Sequence, residues 1–183
     1  IHYKIFSKLF SELINTVKFN GSSFIALTPP VKVTSEPHYV CDNATSETII
    51  DYQVSLKKAI QNKEFKKYFH IAKNLTTGSV GNAKSFYLYA MINENLGRLK
   101  NALFNYRLAQ AFDCFQDESN FVINQIIRMA AKKKGVSFID FDEIVHRDFG
   151  EDFIFMDHYR PQQKYVDQVE NLFNQHIADL ISL

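Results

Sequence analysis

The sequence predicts a helix-dominated α/β protein: a partial parallel sheet, with two strands seen, and an insert of helical hairpins between them. Residues 23–28 (Ser-Phe-Ile-Ala-Leu-Thr) and 136–141 (Val-Ser-Phe-Ile-Asp-Phe) are short, nearly continuous apolar runs. Each follows an amphipathic helical segment and a glycine. Runs of this kind read as parallel strands buried on both faces. Between them, residues 46 to about 130 keep a helical period throughout.

The elements follow in order. Residues 3–18 place Ile5, Leu9, Leu13, Ile14 and Val17 on one helical stripe. Asn20 and Gly21 end that helix, glycine being suited to a left-handed cap. The first strand then runs to Pro29 and Pro30. Residues 29–45 contain three prolines and no period, so they form a loop. A loop at the carboxyl end of a buried strand is where α/β folds place ligands; a plain connector is the alternative. Helices are expected at 47–61, 63–75, 83–95 and 99–112, with Ser46 as a capping residue and Gly97 closing the third. Residues 121–131 are amphipathic, with Phe121, Ile123, Ile127 and Ala131 beside Arg128. Gly135 ends that helix, and the lysines at 132–134 suit its carboxyl end. Residues 142–148 form a short turn or helix. Residues 165–183 form a last helix with Val166, Val169, Leu172, Phe173, Ile177 and Leu180 on one face. The organisation is therefore a first α/β part at 1–45, a helical-hairpin insert at 46–115 and a second α/β part at 116–183.

Composition excludes some functions. Hydrophobic residues make up 46% of the 183, enough for a sizeable core. The net charge of +1 lacks the basic surplus of an electrostatic nucleic-acid binder, so no nucleic-acid partner is expected. Lys63, Glu64, Lys66 and Lys67, and the lysines at 132–134, read as solvated helix faces and ends. No apolar run has the length of a membrane span. Cys41 and Cys114 fit no metal spacing; they form a lone disulfide or stay as free thiols, the simpler reading. Asp140, Asp142 and Glu143, with Asp148, Glu151 and Asp152, make an acidic cluster without the order or interior glycine of an EF-hand. It reads as a solvated loop. His2, His38, His70 and His176 fit no ligand spacing, so no metal or cofactor is expected. Nothing in the sequence indicates a compartment. With Ile1 first rather than Met, the chain is expected to be a piece of a longer protein.

Phe86, Tyr89, Ala90, Ala102, Tyr106 and Ala109 resemble the tetratricopeptide pattern. Small residues stand where two helices cross, and aromatics fill the flanking gaps. One such unit is visible after a weaker helical pair, too few for a solenoid. An ordinary helical hairpin fits the same spacing.

The segment Asp157-His158-Tyr159-Arg160-Pro161, before the last helix, resembles the final block of the SGNH/GDSL hydrolase superfamily. In that block an aspartate and a histidine three residues later belong to a Ser-His-Asp triad. The order of blocks extends the resemblance over nearly the whole chain. Thr28-Pro29-Pro30 comes first, then the hairpins. Ile-Ile-Arg-Met-Ala at 126–130, Gly-Val-Ser-Phe-Ile-Asp at 135–140 and the Asp157 block follow. The resemblance implies ester hydrolysis or O-acyl transfer, with an acylated carbohydrate or another ester as substrate. A serine attacks the acyl carbon, a histidine takes its proton and an aspartate orients the histidine. Backbone N–H groups and polar side chains hold the oxyanion.

The chain departs from the family at three points. Arg160 stands at the histidine position, and a guanidinium stays protonated and cannot act as a base. Tyr165 stands where the family usually has glycine. No Gly-Asp-Ser or Gly-Asn-Asp element occurs; the family carries these upstream of the matched blocks. His158 and the outsider His146 are candidate substitute bases, although neighbours on an extended loop point apart, which separates His158 from Asp157. A turn or capping aspartate, paired with Arg160, is the plain alternative for Asp157. The expectation is an SGNH/GDSL-like esterase or acyl-transfer protein without standard triad activity, with Asp157, Arg160 and His158 at the site. The alternative is a helical-repeat module that takes a peptide or protein partner at the insert.

Overall fold

The computed structural model describes residues 2–37, 47–77, 82–113, 121–149 and 166–181. Among them the protein is helix-dominated, with a small two-stranded parallel sheet. The order is α1 (His2–Phe19), β1 (Ile25–Leu27), α2 (Glu47–Gln61), α3 (Phe65–Thr77), α4 (Ala83–Asn95), α5 (Leu99–Phe112), α6 (Phe121–Lys134), β2 (Ser137–Ile139), α7 (Phe141–Phe149) and α8 (Val166–Ile181). The chain forms two compact units. One is Ile1–Lys32 with Glu118–Leu183, and the other is Val33–Asp117.

In the first unit, α1 and α6 end in the same turn. Gly21 N–H donates to Lys18 O and Ser22 N–H to Val17 O; Gly135 N–H donates to Lys132 O and Val136 N–H to Ala131 O. Gly21 and Gly135 hold φ of 71° and 57°, where a Cβ is disfavoured. Each helix is thereby folded back over the strand that follows it. The strands pair in register, Ile25 with Ser137, Ala26 with Phe138 and Leu27 with Ile139. Alternation then sorts the side chains. Phe24, Ala26, Val136 and Phe138 meet Phe6 and Phe10 of α1 and Ile127 and Ala131 of α6. Leu27 and Ile139 face the other way, with Phe141 and Val145 of α7 and Val169, Leu172, Phe173 and Ile177 of α8.

The buried stripe of α1 differs from the one expected. Ile14 is buried, but Ile5, Leu9 and Leu13 are each more than half exposed, and Phe6 and Phe10 take the inner face. Apolar residues cover about half the circumference of α1, so periodicity does not choose the arc. Aromatic packing does: Phe6 stacks on Phe10 at 5.7 Å, and Phe10 meets Phe24 edge-on at 6.0 Å.

In the second unit, α3 begins two residues later than the period suggests. Lys63 holds φ 59°; its N–H donates to Ile60 O, and Glu64 N–H donates to Ala59 O. This is the turn that ends α1 and α6, with lysine in glycine's place. Lys63 and Glu64 therefore make a turn and not a helix face. Leu56, Ala72, Leu88, Tyr89 and Ile92 form a core shared by α2, α3 and α4. Ala90, Ala102 and Tyr106 bury α4 against α5, with Phe86, Tyr89 and Ala109 also buried. Asn82 caps α4: its Oδ1 accepts Ser85 N–H at 2.8 Å and Gln53 Nε2–H at 3.0 Å, which ties α2 to the start of α4. Ser46, Cys41 and Cys114 lie outside the described residues. Among the described residues no helix is long and apolar enough to cross a membrane.

Candidate functional site

A polar residue ends each strand, and the parallel register sets the two side by side. Thr28 N–H donates to Ile139 O at 3.2 Å, and Thr28 Oγ1 donates to Asp140 Oδ1 at 2.8 Å. The same hydroxyl accepts Asp142 N–H at 3.2 Å. Arg128 approaches from α6. Its Nε donates to Asp140 Oδ2 at 2.7 Å, and its Nη2 donates to Asp140 Oδ1 at 2.7 Å and Asp142 Oδ2 at 2.9 Å. The guanidinium thus forks onto one carboxylate and reaches a second, the geometry in which arginine binds most strongly.

The chain leaving β1 is held from the same cluster. Asp142 Oδ1 accepts Val31 N–H at 3.0 Å. His146, one turn further along α7, places Nε2 2.9 Å from Val31 O, to which it donates, and 3.3 Å from Asp142 Oδ1. Asn124 of α6 donates from Nδ2 to Pro29 O at 2.8 Å. Three side chains from α6 and α7 therefore grip the backbone of residues 29–31, at the carboxyl ends of both strands.

The electrostatics follow from these contacts. Burial alone would raise the Asp140 carboxyl, but hydrogen bonds from Arg128 and Thr28 and the charge of Arg128 hold it below the usual carboxylate range. Burial opposes ionisation of Asp142 as well, and hydrogen bonds from His146 and Arg128 with the Val31 N–H outweigh it. Arg128 is pushed up, chiefly by its hydrogen bond to Asp140. Both carboxylates are ionised and paired.

The acidic cluster is thus not the solvated loop the sequence suggests. Asp142 is only 7% exposed and lies in the first turn of α7, and Asp140 is anchored to Arg128. Glu143 and Asp148 do face solvent, Asp148 pairing with Arg147 at 2.6 Å. Among the described residues no three His, Cys, Asp or Glu side chains gather as a metal site.

Asp157, His158, Arg160 and Tyr165 lie outside the described residues, as do Glu151 and Asp152. His146 is placed, and its Nε2 is engaged with Val31 O and Asp142. Sequence reasoning missed the Thr28, Arg128, Asp140 and Asp142 cluster. One signal for it exists: each apolar run ends in a polar residue, at the position that a parallel pair brings together. Comparisons with protein-family models, curated proteins and solved structures find no match to this chain.

Proposed function

We propose that the chain is the region of an SGNH/GDSL-like esterase or O-acyl-transfer protein that carries the family's last block, and that it lacks standard triad activity. The observation that supports this reading is the parallel pairing of β1 with β2. It brings the Thr28-Pro29-Pro30 block and the strand ending in Asp140 to one end of the sheet, in keeping with the order of blocks along the sequence. The substrate class is an acylated carbohydrate or another ester. Arg160, at the histidine position, supplies no base. The chain is expected to leave p-nitrophenyl acetate unhydrolysed, and Arg160→His alone is expected to restore nothing without a nucleophile. Turnover that Asp157→Ala abolishes would overturn the inactive reading. An experimental structure with the Arg160 guanidinium far from Asp157 and from the carboxyl ends of β1 and β2 would remove the alignment itself.

A second reading is a helical interaction module of tetratricopeptide type at residues 46–112. Two observations favour it: the close alanine crossing of α4 and α5, and a stretch of non-helical chain lying on these helices. A pull-down with the full chain tests it. The reading fails if every captured partner survives substitution of the surface residues of α2 and α4.

A further inference from the structure

Residues 33–36 lie on the helices of the second unit as a bound peptide with a turn at its start would. Val33 is buried against Ala90 of α4 and Ala102 and Tyr106 of α5, with Tyr87 and Met91 beside it. Three residues on, Glu36 pairs with Lys84 of α4 and, at 3.6 Å, with Lys57 of α2. Val33 and Thr34 form a turn, after which Ser35 and Glu36 run on outside any regular element. The segment thus crosses α4 from its α5 side to its α2 side. It belongs to no helix or strand.

The groove is built for such a segment. Its floor at Ala90 and Ala102 is small, so a backbone can come close. The Lys84 side chain is only 12% exposed, and its ammonium lies 5.5 Å from the centroid of the Tyr87 ring. An ammonium withdrawn from water requires a partner of opposite charge, and burial lowers the Lys84 pKa accordingly. Glu36 itself stays half exposed. Beside it lies a cavity of about 220 Å³, walled by Glu36 itself with Lys57, Ile60, Gln61, Tyr87, Leu88 and Met91.

We propose that this groove recognises an acidic peptide that presents an apolar side chain in a turn and, three residues later, a carboxylate, and that residues 33–36 fill it in cis. The proposal rests on the interaction-module reading and gives it a ligand class. An ion pair to a half-exposed glutamate is weak, so the cis segment is displaceable. A peptide in trans still competes with a tethered one at an effective concentration of about millimolar. Weakening the cis segment should therefore expose the site.

The test uses the full chain and a fluorescein-labelled peptide with blocked ends, Val-Lys-Val-Thr-Ser-Glu-Pro, the sequence of residues 31–37. Binding is read by fluorescence anisotropy. Glu36→Gln protein is expected to bind about three- to fivefold more tightly than wild type, as the charged anchor of the tethered competitor is removed. The gain is expected to vanish with a peptide carrying Gln in place of Glu, and with Lys84→Met in the Glu36→Gln background. Equal affinity of wild type and Glu36→Gln, or a gain that survives Lys84→Met, overturns the proposal. Should Glu36→Gln lose helical circular dichroism, Val33→Ser carries the same comparison from the apolar end. A protein partner whose capture is indifferent to both Glu36→Gln and Lys84→Met would sink this groove and leave the module reading standing.

Discussion

Replacing Arg128 with methionine tests whether the cluster at the strand ends is a stabilising clamp. The change keeps the aliphatic stem and removes three hydrogen bonds, of 2.7, 2.7 and 2.9 Å, to two carboxylates. It also leaves Asp140 without a cation and Asp142 with His146 as its remaining side-chain partner. Removing one partner of a buried ion pair costs about 3–5 kcal/mol. The side chains of Arg128, Asp140 and Asp142 are 19%, 28% and 10% exposed, so some solvent reaches them. The lower end applies, about 3 kcal/mol. For a unit of roughly 100 residues that corresponds to a Tm lower by about 12–24 °C. The assay is urea unfolding of the full chain, followed by far-ultraviolet circular dichroism, with the m-value checked so that the midpoint shift reads as stability. Asp142→Asn in the Arg128→Met background should recover about 1 kcal/mol, because it removes one of the two carboxylates that Arg128 held together. A loss below about 1 kcal/mol in Arg128→Met, on the scale of an exposed pair, would refute the clamp. So would simple additivity of the two substitutions.

Further outcomes follow from the same contacts. Asp140 and Asp142 have folded pKa values below their unfolded ones, so their stabilisation is complete above the unfolded carboxyl range and is lost as pH falls through the folded values; Tm should fall more steeply below about pH 4 in wild type than in Asp142→Asn, and parallel curves would contradict it. Thr28→Val removes a buried hydroxyl that donates to Asp140 and accepts from Asp142 N–H; it should cost about 1–3 kcal/mol in urea unfolding, whereas Thr28→Ser, which keeps both bonds, should cost less. Lys63→Gly should raise stability by about 1 kcal/mol, because lysine at φ 59° carries a Cβ penalty that glycine does not; an unchanged or lower urea midpoint would show that the turn is not strained.

Much of the fold is legible in the sequence because it rests on local signals. The two strands, the last helix and α4 and α5 fall within a residue or two of where apolar period and glycine stops place them. The misreadings share a different cause. Lys63 occupies a left-handed position that sequence rules assign to glycine, so the start of α3 is displaced. On α1, nine or so apolar positions span half the helix, and only the partners Phe24 and Ile123 decide which are covered. Arg128 and Thr28 meet the aspartates across sequence separations of 12 and 112 residues. No local pattern announces such pairs, and an Asp-x-Asp read alone looks like a solvated turn.

The geometry of the cluster also decides what it cannot do, and this gives the esterase assay its meaning. A triad needs a hydroxyl whose proton can pass to a neutral base and whose oxygen can reach an acyl carbon. The Thr28 hydroxyl is fully buried, its proton is committed to Asp140, and its oxygen accepts Asp142 N–H. Asp140 in turn is held ionised by a permanently charged arginine. His146 sits beside Asp142, as a triad histidine sits beside its aspartate, yet its Nε2 is spent on the Val31 carbonyl. Aspartate, histidine and hydroxyl are therefore all present within one cluster and are arranged to grip a loop. Ester turnover by this chain would not come from this cluster, and Asp157→Ala tests the Asp157 block directly.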